Sequence, residues 1–247
     1  MSNVGKEVRL AELLGKEGKV LVIPHESIRP PHHWDVAAKA VIAGGADILM
    51  TTPGLLMTFY KSVAGKIPLV ATIPDDPSYV DLAAKMGFLG VKTTYFGPMT
   101  QLPRDAMMKV SIRCAELGIV WYPEIVAMTA PRDQKGERIF DPKILIQVCN
   151  TAASLGADLI KTEYSGSTET YKEVCKESPL PVTILGGERI SDEECLKRIK
   201  GAMDAGAIGG AFSRNTVTHP NPEKIVKAIQ KIIHKGASVA EAMKELE

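Results

Sequence analysis

Lys161 is the residue of this sequence whose type and position most directly indicate covalent chemistry. It closes the apolar run in the segment GADLIKTE, and burial at the end of a strand would lower the pKa of its ammonium group and leave a neutral amine. A neutral amine can attack a carbonyl carbon and form a Schiff base. The alternative is a lysine that extends to solvent or forms an ion pair with Glu163. Lys92, in GVKTTY, lies deeper in its own apolar run, and we expect it to form a structural ion pair.

Two glycine-containing segments near the C-terminus have the composition of a phosphate site. They read ILGGERIS and GGAFSRNT and contribute Gly186, Gly187, Ser213 and Arg214. Glycine lets backbone N–H groups approach an anion closely, while Arg214 and the start of the next helix supply positive potential. Tight turns after strands need glycine in any case, so either segment alone is weak evidence. The two together predict a phosphorylated small molecule as the substrate.

Tyr122 and Glu124 are candidates for proton transfer. They are two residues apart in a predicted strand, and such residues share a face of the strand, so a phenol and a carboxylate could act together. The alternative is a core tyrosine and a solvated glutamate. His25 and Glu26 follow the first predicted strand and are further candidate catalytic residues.

No metal and no organic cofactor are predicted. His25 with Glu26, and the pair His32 and His33, are residue types that bind metals, but no third ligand follows at a recognisable spacing.

The long loop Ala127–Phe140 is rich in charged residues. It carries Arg132, Asp133, Lys135 and Arg138. Such a loop is usually a solvated surface, but it could equally be a lid that closes on an anionic substrate.

Short runs of Val, Ile and Leu alternate with amphipathic stretches from end to end, which predicts a repeated strand–helix unit. Eight strands are predicted, at Val20–Ile23, Ala46–Thr51, Ile67–Ile73, Gly90–Tyr95, Ile119–Ile125, Ala157–Thr162, Pro181–Gly186 and Ala207–Phe212. Eight helices are predicted, at Trp34–Ala43, Gly54–Val63, Tyr79–Lys85, Arg104–Leu117, Pro142–Leu155, Ser167–Cys175, Asp192–Ala205 and Pro222–Ile233. Joints such as LGADLIK and AGAIGGA place glycine between helix and strand, as in tight αβ turns.

Eight strands that alternate with eight helices favour an α/β fold in which residues 1–247 form a single (β/α)8 TIM barrel domain. An open doubly wound sheet usually has fewer units, and its GxGxxG segment is absent after the first strand. We expect residues 1–18 to cap the bottom of the barrel and residues 236–247 to form a helical extension. Catalytic groups of such barrels come from the C-terminal ends of the strands, which is where Lys161 and both glycine segments fall.

The composition argues against nucleic acid and membranes as partners. The 30 Lys and Arg residues against 29 Asp and Glu residues give a net charge of +1, so no overall field attracts the chain to a polyanion or an anionic bilayer. No apolar run approaches the roughly 20 residues that span a bilayer. The N-terminus lacks the apolar stretch of a signal peptide, and we therefore expect a cytoplasmic protein.

Two segments of the chain resemble the archaeal-type class I fructose-bisphosphate aldolase family, whose relatives include an aminodideoxyheptulosonate synthase and the autoinducer-2 phosphate thiolase. They are LGADLIKTEYSGS and PVTILGGERISDEECLKRIKGAMDAGAIGGAFSRNTVTHPNP, and the resemblance extends over nearly the whole chain. It implies that Lys161 forms the imine, that Tyr122 donates or accepts the proton, and that the two glycine segments hold a phosphate. It also implies a homo-oligomer, since relatives of this kind assemble as decamers.

The chain departs from the family pattern after its first strand. The family reads Asp-His-Gly there, with the aspartate near the reactive lysine, whereas this chain reads Pro24-His25-Glu26. A carboxylate beside the lysine helps move protons through the imine steps. Glu26 or Glu163 would then have to replace the aspartate, or His25 takes part, or the chain catalyses a different step.

A second departure follows Tyr122-Pro123. The family commonly continues with Arg-Gly, and this chain has Glu124-Ile125. An arginine that could bind an anion is thereby lost, which argues against fructose 1,6-bisphosphate, with its second phosphate, as the substrate.

The leading hypothesis is a metal-independent class I aldolase, or a related carbon–carbon lyase or transferase, that acts on a small phosphorylated carbonyl compound. A second hypothesis keeps the barrel and the phosphate site but uses retro-Claisen or acyl-transfer chemistry, with the lysine positioning an oxyanion. A third is a catalytically degenerate member that binds a sugar phosphate or a partner protein.

Overall fold

The computed structural model describes residues 3–26 and 32–247, and its strands are all parallel members of one sheet. They are β1 (Val20–Pro24), β2 (Ile48–Thr51), β3 (Leu69–Thr72), β4 (Gly90–Lys92), β5 (Thr94–Gly97), β6 (Val120–Trp121), β7 (Glu124–Ala127), β8 (Ile160–Thr162), β9 (Val182–Leu185) and β10 (Gly209–Ala211). Their order in the sheet is β5-β7-β8-β9-β10-β1-β2-β3-β4-β6.

The sheet closes on itself through two interrupted strands. β4 and β5 are the halves of one predicted strand, and β6 and β7 are the halves of the next. β4 pairs with β6 and β5 pairs with β7, so the two ends of the sheet meet. Bonds from Tyr122 N to Val91 O (2.9 Å) and from Glu124 N to Thr93 O (2.8 Å) continue the ladder across the interruptions. The predicted (β/α)8 barrel is confirmed.

Helices surround the barrel in the predicted alternation. They are α1 (Val4–Leu14), α2 (His32–Ala43), α3 (Pro53–Val63), α4 (Ser78–Lys85), α5 (Arg104–Leu117), α6 (Pro142–Ser154), α7 (Thr168–Glu177), α8 (Asp192–Ala205), α9 (Pro222–Lys235) and α10 (Val239–Met243). Local signals set many of their ends. The side chain of Asn221 caps α9, which begins with Pro222 and stops at Gly236 in the left-handed conformation. Within the described residues, no helix combines the length and apolar character needed to cross a membrane.

The strands bury both faces, because successive side chains point to opposite sides. Inside the barrel, Val22, Met50 and Val70 pack in one cluster with Leu13 of α1, so α1 covers the N-terminal end of the barrel. The other face packs against the surrounding helices in a second, larger cluster. The C-terminal end of the barrel carries the polar residues described next.

Candidate active site

A cavity of about 310 Å³ opens at the C-terminal ends of the barrel strands. Its lining residues are Pro24, Glu26, Thr72, Lys92, Thr94, Phe96, Glu124, Arg132, Arg138, Lys161, Leu185, Gly186, Gly187, Ala211, Ser213 and Arg214. The volume is that of a site for a small metabolite. Of the predicted site residues, Glu26, Lys161 and both glycine segments line this cavity. Tyr122, His25 and Glu163 are not among its lining residues.

Lys161 lies in the middle of β8 with only 5% of its surface exposed. Its Nζ atom is 2.8 Å from Oε2 of Glu124, because β7 and β8 pair with these two residues opposite each other. Burial is the main cause of a lowered pKa of Lys161; the charge of Glu124 opposes the shift and that of Lys92 adds to it. The amine is therefore closer to its neutral, nucleophilic form than the amine of an exposed lysine.

Lys92 joins the site through two ion pairs. Its Nζ atom lies 3.1 Å from Oε1 of Glu26 and 3.3 Å from Oε2 of Glu124, while the hydroxyl of Thr72 donates a hydrogen bond to Glu26. Burial acts to lower the pKa of Lys92, but the charges of Glu26 and Glu124 outweigh it and the pKa is raised. The ion pair expected for Lys92 is present, and the same side chain also lines the cavity.

Glu124 is the carboxylate in direct contact with Lys161. Burial acts to raise the pKa of Glu124, but the ammonium groups of Lys161 and Lys92 outweigh it and lower the pKa to about 2. The carboxylate is therefore ionised at neutral pH.

Tyr122 lies one layer below Glu124, inside the barrel, and is fully buried among apolar side chains. Its hydroxyl hydrogen-bonds to Oγ1 of Thr183, and the Thr183 hydroxyl is 3.1 Å from the carbonyl oxygen of Ile160, to which it donates. A hydroxyl has one proton to donate, so Tyr122 donates to Thr183. Burial raises the pKa of Tyr122, which keeps it a phenol at neutral pH. Its role in proton transfer stays a prediction.

His25 turns away from the cavity. Its ring lies 5.3 Å from the ring of Phe59, and its Nε2 atom is 3.1 Å from the carbonyl oxygen of Trp34. The side chains of His32 and His33 lie outside the described residues. In the part of the chain that the structure describes, no three His, Cys, Asp or Glu residues are grouped closely enough to hold a metal ion.

The two glycine segments form adjoining loops after β9 and β10. The side-chain amide of Asn215 donates to the carbonyl oxygens of Gly186 (3.0 Å) and Glu188 (3.1 Å), and its carbonyl oxygen accepts from Ile190 N at 3.1 Å. Asn215 is 4% exposed, so a buried amide ties the two loops together. An ion pair between Arg214 and Glu188 joins them again at the surface.

These loops present backbone donors to the cavity. Among the described residues, the N–H groups of Gly187, Ser213 and Arg214 donate no hydrogen bond to another protein group. Gly187 has a φ of +66°, a conformation that glycine adopts without strain. An array of uncommitted N–H groups with a guanidinium beside it is suited to bind an anion.

The long loop after β7 brings two arginines to the cavity. Arg132 and Arg138 lie with their guanidinium carbons 4.9 Å and 5.9 Å from the centre of the Phe96 ring. Arg138 Nη1 also donates to Oε1 of Glu163 at 2.6 Å, so Glu163 pairs with this loop and not with Lys161. Within residues 3–26 and 32–247, Arg132 forms no ion pair, so its charge remains available at the mouth of the cavity.

Comparison with known proteins finds a similar sequence profile, similar relatives and similar solved structures. A sequence profile described as DeoC/LacD family aldolase matches residues 103–219, a stretch that includes Glu124, Lys161 and both glycine loops. Residues 103–219 are thus similar to a DeoC/LacD-type aldolase domain. Glu26 and Lys92 lie outside the matched stretch.

Relatives and solved structures match over nearly the full length of the chain. The chain is 27% identical over 264 residues to a class 1 fructose-bisphosphate aldolase of Halobacterium salinarum, covering 93% of this chain and 96% of that one. It is 29% identical over 262 residues to a 2-amino-3,7-dideoxy-D-threo-hept-6-ulosonate synthase of the same organism, covering 98% and 97%. The structure of an archaeal fructose 1,6-bisphosphate aldolase superposes with a TM-score of 0.80 at 18% identity. The match covers 94% of this chain and 100% of that one. The resemblance to archaeal class 1 fructose-bisphosphate aldolases and to an aminodideoxyheptulosonate synthase that the sequence indicated is thus confirmed.

Sequence reasoning missed part of this site. Lys92 was expected to be structural, and Asn215 was not expected to join the two loops. The signal for Lys92 was present, since the predicted strand Gly90–Tyr95 ends only three residues after it, which places Lys92 near the C-terminal rim of the barrel. The contact between Lys92 and Glu124 carried no sequence signal, because it joins residues 32 positions apart.

Proposed function

We propose that this chain is a metal-independent class I aldolase whose Lys161 forms a Schiff base with a small phosphorylated carbonyl compound. The observation that carries the proposal is a buried amine of lowered pKa on the wall of a cavity that also presents anion-binding loops. The amine attacks the carbonyl carbon, and water leaves to give a protonated imine. As the bond between the α and β carbons breaks, its electron pair passes to the imine and gives an enamine, and the same enamine supplies the electron pair when the bond forms. The chemistry needs no metal or organic cofactor.

The proposed phosphate site consists of the loops after β9 and β10. N–H groups of Gly187, Ser213 and Arg214 would donate to the phosphate oxygens, and the guanidinium of Arg214 would share its charge between the phosphate and Glu188. Arg132 adds a second positive charge to the lining of the same cavity. These groups support a substrate that carries at least one phosphate.

We also propose a cytoplasmic homo-oligomer, a decamer by resemblance to relatives. Val36, Met57 and Tyr60 on α2 and α3 are exposed apolar side chains that contact between copies would cover. Size-exclusion chromatography with light scattering tests this, and a monomer at all concentrations would contradict it.

Reduction with sodium borohydride tests the Schiff base. The protein is incubated with dihydroxyacetone phosphate and, separately, with a panel of short phosphorylated ketones and aldehydes, then reduced and analysed by intact mass and peptide mapping. We expect one covalent adduct, on Lys161, because only an imine is trapped by the hydride. The variant Lys161→Met should keep its fold by circular dichroism and lose both adduct and turnover.

The possible results separate the three hypotheses. An adduct on Lys92 would show that Lys92, and not Lys161, is the nucleophile. Absence of any adduct in a folded protein that still turns over substrate would favour acyl or retro-Claisen transfer. Absence of adduct and turnover, with phosphate esters still bound, would favour a binding protein.

A further inference from the structure

The segment that follows β7 is a short antiparallel hairpin at the mouth of the cavity, and residues 127–139 are here called the β7 hairpin. Its two arms are joined by a bridge between Met128 and Arg138 and by a hydrogen bond of 2.9 Å from Thr129 N to the carbonyl oxygen of Glu137. The charged loop of the sequence is therefore a folded element with its own backbone hydrogen bonds.

One ion pair fixes the β7 hairpin to the barrel. Nη1 of Arg138 lies 2.6 Å from Oε1 of Glu163, which follows β8 directly. The side chain of Glu163 is 3% exposed and that of Arg138 is 26% exposed. Removal of one partner would leave the buried carboxylate without a counter-charge, which is costly. The pair therefore ties the second arm of the hairpin to the strand that carries Lys161.

The ring of Phe96 holds both arginines of the hairpin at the cavity. The guanidinium carbons of Arg132 and Arg138 lie 4.9 Å and 5.9 Å from the ring centre, and the ring packs against apolar side chains of β7 and β9. Glu163 neutralises Arg138, whereas in the described part of the chain no carboxylate pairs with Arg132. One uncommitted guanidinium therefore remains in the lining of the cavity.

The order of the strands places the hairpin and the phosphate loops on either side of the reactive lysine. In the sheet, β8 with Lys161 lies between β7 and β9. The hairpin follows β7, and the glycine loops follow β9 and β10. Neighbouring strands are about 4.8 Å apart, so β7 and β9 are separated by about 10 Å. A carbonyl compound joined to Lys161 thus has an anion site towards each side.

We propose that Glu163 is a positioning residue that holds the β7 hairpin through Arg138, and that the hairpin presents Arg132 to a second anionic group of the substrate. The substrate class that fits is a carbonyl compound with a phosphate on one side of the carbonyl and a phosphate or carboxylate on the other. This inference rests on the proposed Schiff base at Lys161. It gives Glu163 no acid–base step, because its carboxylate already accepts from Arg138.

Three ketohexoses phosphorylated at carbon 1 test the second anion site. They carry a hydroxyl, a phosphate or a carboxylate at carbon 6, and the half-saturation concentration of the borohydride-trapped adduct on Lys161 is measured for each. For wild type we expect a value at least about tenfold lower with one or both of the compounds that have two anionic groups, because a charge-assisted hydrogen bond is gained. The compound with the lower value identifies the second anion as phosphate or carboxylate.

Two results of this comparison separate the site from the chemistry. Equal half-saturation concentrations for all three compounds would overturn the second anion site and leave the Schiff base standing. Absence of any adduct on Lys161, with these compounds and with dihydroxyacetone phosphate, would overturn the Schiff base and this inference with it.

The double variant Arg138→Met/Glu163→Gln tests the positioning role. It removes one charge of each sign, so the net charge beside the substrate is unchanged and only the anchor is lost. We expect the half-saturation concentration to rise at least about fivefold for the preferred compound with two anionic groups, and less than about twofold for the hydroxyl compound. Amide hydrogens of the β7 hairpin should exchange at least about tenfold faster, since its local opening becomes easier.

The matched control removes the arginine–aspartate pair between α4 and α5, Asp81 with Arg113. Asp81→Asn/Arg113→Met should change neither the half-saturation concentrations nor exchange in the hairpin. Wild-type preference among the three compounds in folded Arg138→Met/Glu163→Gln, or an equal rise for all three, would overturn the positioning role. Circular dichroism and Tm establish folding. Arg138→Lys, which keeps the charge and loses the planar fork, replaces the double variant if that does not fold, and should shift the preference in the same direction.

Glu163→Gln alone separates positioning from proton transfer. In single-turnover trapping of the hydroxyl compound we expect its adduct to form within about threefold of the wild-type rate. A fall of about 10²-fold or more in the folded variant, the effect of losing a general acid or base, would overturn the assignment of Glu163 as a positioning residue.

Discussion

The carboxylate of Glu124 lies 2.8 Å from the amine of Lys161, because β7 and β8 pair with these two residues opposite each other. The sequence resemblance implies an arginine at position 124 and an aspartate after the first strand, where this chain has Pro24. This chain instead supplies a carboxylate to Lys161 from β7, the strand beside β8 in the sheet.

β7 itself carries no arginine, but the long loop that follows it brings arginines to the cavity. Arg132 lies over the face of Phe96, 4.9 Å from the ring centre, and lines the cavity. Stacking on an aromatic ring orients a guanidinium without neutralising it. The second positive charge of the site thus comes from the loop and not from the strand.

Replacing Arg132 should raise KM more for substrates with two anionic groups than for substrates with one. For Arg132→Met we expect KM to rise about tenfold or more for compounds with two anionic groups, since a charge-assisted hydrogen bond of roughly 1.5–3 kcal/mol is lost, and to change little for compounds with one. Steady-state kinetics on a matched pair of mono- and bisphosphorylated ketoses measures this. An equal change in KM for both would show that Arg132 does not contact the second anion.

Gly187 should matter for phosphate binding more than for folding. Its φ is +66°, and a Cβ there would lie 2.6 Å from Nη1 of Arg198, beside the N–H groups of the phosphate loop. Gly187→Ala should cost about 1 kcal/mol of stability through its positive φ and also raise KM for the phosphorylated substrate. Gly65 is the matched control, because its φ is +70° and nothing lies near its Cβ. Gly65→Ala should lose similar stability by urea denaturation and leave KM unchanged.

His234 should make stability depend on pH. Its ring lies 2.8 Å from Asp47 and 3.1 Å from Glu17, and the hydrogen bond with Asp47 is the main cause that raises the pKa of His234 above 6.5. A raised folded pKa means that this stabilisation is complete below the unfolded pKa and is lost as pH rises through the folded one.

We therefore expect the free energy of unfolding to fall as the pH rises above about 6.5, by less than about 1 kcal/mol, because the groups are partly exposed. His234→Gln should flatten this part of the profile. Urea denaturation of both proteins across the range measures it, and parallel profiles would refute the assignment.

Much of the fold follows from local sequence signals. The bounds predicted for α5, Arg104–Leu117, and α8, Asp192–Ala205, agree with the structure at both ends. Both helices stop at a left-handed glycine, Gly118 or Gly206, and the side chain of Ser191 caps the start of α8. The alternation of eight strands with eight helices is also a local pattern, and it predicted the closed barrel and the rim on which Lys161 and the glycine loops meet.

The sequence by itself placed Lys161 and both glycine segments at the mouth of the barrel, and the tertiary structure alone decided which side chains touch there. Tyr122 and Glu124 share a face of their strand, but two residues rise about 6.6 Å along it, and only the register of β7 with β8 sets Glu124 opposite Lys161. That register joins residues 37 positions apart and is fixed by packing of the whole barrel. No local pattern encodes it, so the sequence identified the lysine and the structure identified its carboxylate.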